Sequence, residues 1–171
     1  MMNSLLPGLD AAPNLHPLVV HFPIAFWVAA TGFWALSLLR RNQEFWTFGL
    51  WLQALGALSG AVAVALGYWA TSQMGHGGAG HEFVHVHRDI MLGATLLGIL
   101  VAGLSWWKRS SKRWRVPLLV GSVIQLGVMA AGADRGAELV YRYGVGVAQP
   151  GSTMEHSGDD SGEEAHGDHS H

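Results

Sequence analysis

The sequence predicts an all-α integral membrane protein: a four-helix bundle with both termini on the outer side and a disordered C-terminal tail rich in His and acidic residues. Four apolar runs, residues 17–39, 45–70, 90–107 and 116–133, match a bilayer core about 30 Å thick, and each is free of Lys and Arg until its last residue or beyond. Seven of the ten basic residues fall in two places: Arg40 and Arg41 after the first run, and Lys108, Arg109, Lys112, Arg113 and Arg115 between the third and fourth. Lys and Arg in short loops stay cytoplasmic, so those two turns face in and the termini face out. Half of the 171 residues are hydrophobic and 13% are charged, with much of that charge in the tail. The chain therefore divides into an outer N-terminal segment (1–15), a transmembrane domain (16–147, spans about 17–39, 45–70, 88–107 and 116–135) and a tail (148–171).

The first span opens with His16, Pro17 and His21, followed by Pro23. Pro17 suits a first helical turn, whereas Pro23 frees the carbonyl of Val19 and predicts a kink near His21. On a continuous helix His16 and His21 point about 140° apart and differ by about 7.5 Å in depth, which puts His16 at the water interface and His21 inside. An intramembrane His is a functional-site candidate, although His21 could instead bond the freed carbonyl. With no positive n-region and no small-residue cleavage site before Arg40, this span reads as retained rather than as a signal peptide.

The second span carries Gly56 and Gly60, a GxxxG step extended by Ala63 and Gly67, which suits close helix packing and offers a route to homo-oligomers. Gly93, Gly98 and Gly103 in the third span and Gly121 and Gly127 in the fourth could pack helices or leave room for a flat cofactor. Gln53 and Gln125 should face the interior and bond between helices, because an unpaired amide in lipid is costly. Trp46, Trp106, Trp107 and Trp114 gather at the inner boundary, and Tyr68, Trp69, Tyr141 and Tyr143 at the outer one, as interfacial aromatic belts do. Past the fourth span, Glu138 and Arg142 have the favourable i, i+4 order for an ion pair.

All ten histidines lie at the outer boundary under this topology. In the loop before the third span, His76, His81, His85 and His87 follow a glycine-rich stretch. If the chain turns helical after Gly80, His81, His85 and Asp89 share one stripe and could hold a divalent ion, while His87 and Met91 pair on another face. His87 lies deepest. Placed opposite His21 on a neighbouring helix, it could complete the axial ligation of a b-type haem, with His16 and His85 as the other candidates. From Pro150 the chain holds six carboxylates, four His and no Lys or Arg, so it reads as disordered. With the whole at −2 and the tail at −6, the body carries +4. His156, His166, His169 and His171 in that tail would loosely capture copper, zinc or nickel.

The opening residues 16–25 (His-Pro-Leu-Val-Val-His-Phe-Pro-Ile-Ala) and the closing residues 136–147 (Gly-Ala-Glu-Leu-Val-Tyr-Arg-Tyr-Gly-Val-Gly-Val) resemble the two ends of a bacterial membrane-protein family catalogued as domain of unknown function 2231. The resemblance implies a four-helix bundle in the bacterial inner membrane, relatives joined to Rieske or cytochrome domains, and so a redox role. It carries the motif histidines onto His16 and His21, and the histidine entering the third helix onto His87 rather than His85. An acidic residue that leaves the family's second helix has no counterpart at 67–71, and the His-rich tail lies outside the family pattern.

Three functions follow as expectations: a haem b electron-transfer or redox-complex subunit with a membrane or periplasmic redox partner; a membrane protein that handles copper, zinc or nickel; and a cofactor-free anchor for a redox or transport complex. The absence of cysteine rules out thiolate zinc and iron–sulfur ligation by this chain. No Walker-type loop and no acidic pair inside a span speak for a nucleotide-driven or hydrolytic enzyme, and the short basic loop is explained by topology rather than nucleic acid.

Overall fold

A computed structural model describes residues 15–72 and 81–144, all of it helix and tight connection. The helices are α1 (His16–Val19), α2 (His21–Arg40), α3 (Gln43–Ser72), α4 (His81–Trp107) and α5 (Arg115–Tyr143), with a 3-10 turn (Lys112–Trp114) before α5. The chain has four helical segments long and apolar enough to cross a membrane, His16–Arg40, Gln43–Ser72, Glu82–Trp107 and Lys112–Tyr143. The tail falls outside the described residues.

Proline divides the first segment. Pro23 cannot donate to Val19, and the helical hydrogen bonding is interrupted at Val20, which keeps right-handed helical dihedrals (φ −61°, ψ −23°) and donates to the His16 carbonyl at 3.1 Å as in a regular helix. α1 is thus a short turn that packs against α3 as well as α2. At the other end of α2, Arg41 adopts a left-handed conformation (φ 52°) and the chain reverses within two residues. Ser37 Oγ donates to the Asn42 carbonyl (2.8 Å), and Asn42 Oδ1 accepts the Glu44 amide (2.7 Å), which caps α3. α5 ends on Gly144 at φ 64°, where a residue without Cβ is favoured.

The helices pack in a ring, α2 on α3, α3 on α4, α4 on α5 and α5 back on α2, so α2 faces α4 and α3 faces α5 across the bundle. Its interior is rich in small, polar and Trp side chains, joined by a few aliphatic ones such as Leu50, Val101 and Leu118, while many more Leu, Val, Ile and Phe lie on the outside. That inversion suits lipid, in which apolar packing brings no hydrophobic gain and close approach and hydrogen bonds hold helices together. Trp27, 1% exposed, crosses the centre, and a Cβ at Gly56, Gly60 or Gly98 would overlap its indole. Beside it Gln53 Nε2 donates to Gln125 Oε1 (2.9 Å) and to the Gly98 carbonyl (3.2 Å), as expected of buried amides. At the basic end Trp34 stacks on Trp46 with ring centres 5.0 Å apart, and Trp34 Nε1 donates to the Trp46 carbonyl at 3.3 Å.

Two expectations change here. Trp46 is a core residue, 1% exposed, rather than part of an interfacial belt, because Gly49 opens a slot in α3 for Trp34 to stack on it. Gly56 and Gly60 are covered by Trp27 of the same chain, so this step packs helices within the bundle and is closed to a second copy. Gly98 is filled likewise, by Trp27 and Gln125.

Candidate functional site

At the histidine end the bundle opens around an apolar cavity of about 360 Å³. His16 from α1 and His87 from the start of α4 both line it. Each is held by the same local device. His16 Nδ1 bonds the Ala63 carbonyl at 2.9 Å, and one helical turn further along α3 Gly67 leaves space for the ring, since a Cβ there would sit 3.0 Å from His16 Cε1. His87 Nδ1 bonds the Gly132 carbonyl at 2.7 Å, and one turn on Gly136 makes the same allowance, with a Cβ 2.9 Å from His87 Cε1. The two halves of the bundle thus repeat one arrangement of histidine, carbonyl and glycine.

A carbonyl oxygen can only accept, so Nδ1 carries the proton in both rings when they are neutral, and the lone pair lies on Nε2. A backbone carbonyl on one imidazole nitrogen is also the usual way a ligating histidine is oriented for metal at the other. Trp27 lines the cavity toward the bundle centre, and Met91 and Met129 contribute soft, adaptable surface. Arg88 lines it too. Its guanidinium pairs with Asp89 (3.0 Å) and lies 4.9 Å from the Tyr68 ring centre, a cation held beside an apolar space.

The structure groups the candidate residues differently from the sequence reading. His87 is brought together with His16, not with His21, which is exposed and does not line the cavity. The interruption at Val20 and the angular offset between the motif histidines turn one inward and the other outward. Met91 lies on the cavity face with His87, as their i, i+4 spacing implies. His85 is half-buried away from the cavity, and Asp89 is exposed and engaged by Arg88. His81 opens α4, so the residues of the proposed stripe are helical. Among the described residues, no three His, Asp or Glu side chains converge as a metal site. His76, His156, His166, His169 and His171 lie outside the described residues. Ala63, Gly67, Gly132 and Gly136 were not singled out as a set by sequence; their signal is the recurrence of a small residue facing each motif histidine.

At the far end of the same exit, Glu138 accepts from Arg142 (3.0 Å) and Arg135 (2.9 Å), and Phe83 stacks on Tyr143 with ring centres 5.0 Å apart. The ion pairs lie within α5, and the Phe83–Tyr143 stack ties its last turn to the first turn of α4, beside the Gly136–His87 contact.

The model of the family described as predicted membrane protein (DUF2231) matches residues 12–149, and the chain belongs to that family. No curated protein and no solved structure matches it.

Proposed function

We propose that the protein is a haem b-binding subunit of a membrane redox complex, with His16 and His87 as the axial ligands. The observation that carries this reading is the pair of imidazoles on one apolar cavity, each fixed through Nδ1 to a backbone carbonyl so that Nε2 is the ligating nitrogen. The cavity, about 360 Å³, lies at the low end of the roughly 300–1,000 Å³ of small-molecule sites and is smaller than a haem, so the macrocycle would have to reach past it between the helices. Two neutral nitrogen donors, apolar walls and an arginine beside them fit a flat, largely apolar macrocycle with an anionic edge. Bound there, haem supplies one-electron transfer.

The chain's own residues set the conditions. The Ala63 and Gly132 carbonyls hold the tautomer and raise the basicity of Nε2. Gly67 and Gly136 let the rings seat against the helices, and the surrounding apolar side chains keep water away. Arg88, paired with the exposed Asp89, is the lining cation that an acidic cofactor edge would have to share with that carboxylate.

Purified protein from haem-replete cells is expected to give a b-type reduced-minus-oxidised spectrum that is lost in His16→Ala and His87→Ala and kept in His21→Ala. A colourless wild-type protein would refute the reading.

A further inference from the structure

We propose that the cleft at the basic end is a binding site for the phosphate of an anionic phospholipid headgroup. The cleft, about 500 Å³, lies where the start of α3, the end of α4 and the start of α5 meet, and Arg109, Lys112, Arg115 and Gln43 line it together with Trp51 and Trp106. No carboxylate lines it. Among the described residues, the ion pairs join Arg88, Arg135 and Arg142 to acids at the opposite end, and the seven cations of the basic end face one acid, the exposed Glu44.

Arg115 is set in place beforehand. Gln43 Oε1 accepts from one of its terminal nitrogens, and its guanidinium carbon lies 5.0 Å from the Trp46 ring centre. Its Nε is closed to solvent, so the part of the guanidinium that faces an anion in the cleft is its terminal end. Guanidinium groups suit phosphate oxygens, and Lys112 adds a point charge. Trp51 and Trp106 meet edge to face with ring centres 5.0 Å apart, and Trp51 is exposed on the surface that lipid covers. A headgroup in the cleft would therefore leave its glycerol and acyl region against an aromatic wall. A basic pocket between spans near the cytoplasmic surface is the setting in which anionic headgroups bind. Charge placed for topology alone needs neither a cleft nor a guanidinium pre-set against Gln43 and Trp46.

The test uses the full chain in neutral detergent, with its thermal midpoint followed against phosphatidylglycerol, phosphatidylcholine and inorganic phosphate, and with retained lipid counted by native mass spectrometry. Phosphatidylglycerol is expected to raise the midpoint and to be retained, at affinity at least tenfold above phosphatidylcholine. Arg109→Gln/Lys112→Gln, which alters only exposed side chains, should abolish that preference, while Arg142→Gln at the other end keeps it. Inorganic phosphate that alone reproduces the rise would support the same site with a free phosphate as its source. Equal responses to both lipids, no response to any ligand, or an undiminished preference in the double variant would overturn the proposal.

Discussion

His16 and His87 are held by a contact that a single carbon would disturb. A Cβ at Gly67 or Gly136 would approach the imidazole to 3.0 and 2.9 Å respectively, so a larger group must push the ring off its carbonyl. Gly136→Val is expected to cost about 1–3 kcal/mol by overpacking and to lower bound haem per protein together with the thermal midpoint. Unchanged haem content and midpoint would mean that the ring is not seated on α5. The residue scale is also where the sequence was least informative. His16 and His21 differ in rotation as well as depth, and depth alone favoured His21 on a helix assumed continuous. In lipid both faces of a span are apolar, so hydropathy does not tell which histidine turns inward. The small residues opposite do: Gly67 was visible as an extension of the GxxxG step and Gly136 as the start of the closing motif, but only the fold shows that each faces a ring.

At the scale of the helix, two devices position the site. The first is the interruption before α2. Restoring a donor with Pro23→Ala should let Val19 and residue 23 bond, merge α1 into α2 and swing His16 away from Ala63. The expected result is a protein at least as stable as the wild type that has lost its haem spectrum; a stable variant with full haem would show that the interruption is dispensable. The interruption at Val20 was legible because proline acts through its own missing N–H, a local effect independent of packing. The second device is the Gln53–Gln125 bond across the bundle. A double-mutant cycle with Gln53→Leu and Gln125→Leu, read by unfolding in detergent, should return a coupling of about 0.6 kcal/mol and no more than about 1.7. Both glutamines could be expected in the interior from their polarity, whereas Trp46 could not be separated from the belt tryptophans until Gly49 was seen to admit Trp34.

The whole molecule divides its chemistry between its ends, histidine and an apolar cavity at one and arginine, lysine and a polar cleft at the other. The bundle was readable because spans are set by length and apolarity, which one sequence contains in full. The pairing of His16 with His87 was not, because it depends on which helices lie across from each other. The charge asymmetry predicts that reporter fusions in the turn around residues 108–115 will sit in the cytoplasm and fusions after residue 144 outside it. The reverse result would place the histidine end inward and remove the periplasmic redox partner from the account. The most direct measurement is electron paramagnetic resonance of the oxidised protein with haem bound, compared across single variants. The account predicts a low-spin, six-coordinate signal in the wild type and His21→Ala that becomes high-spin or disappears in both His16→Ala and His87→Ala. A low-spin signal that survives loss of His16, or one that fails on loss of His21 alone, would contradict it.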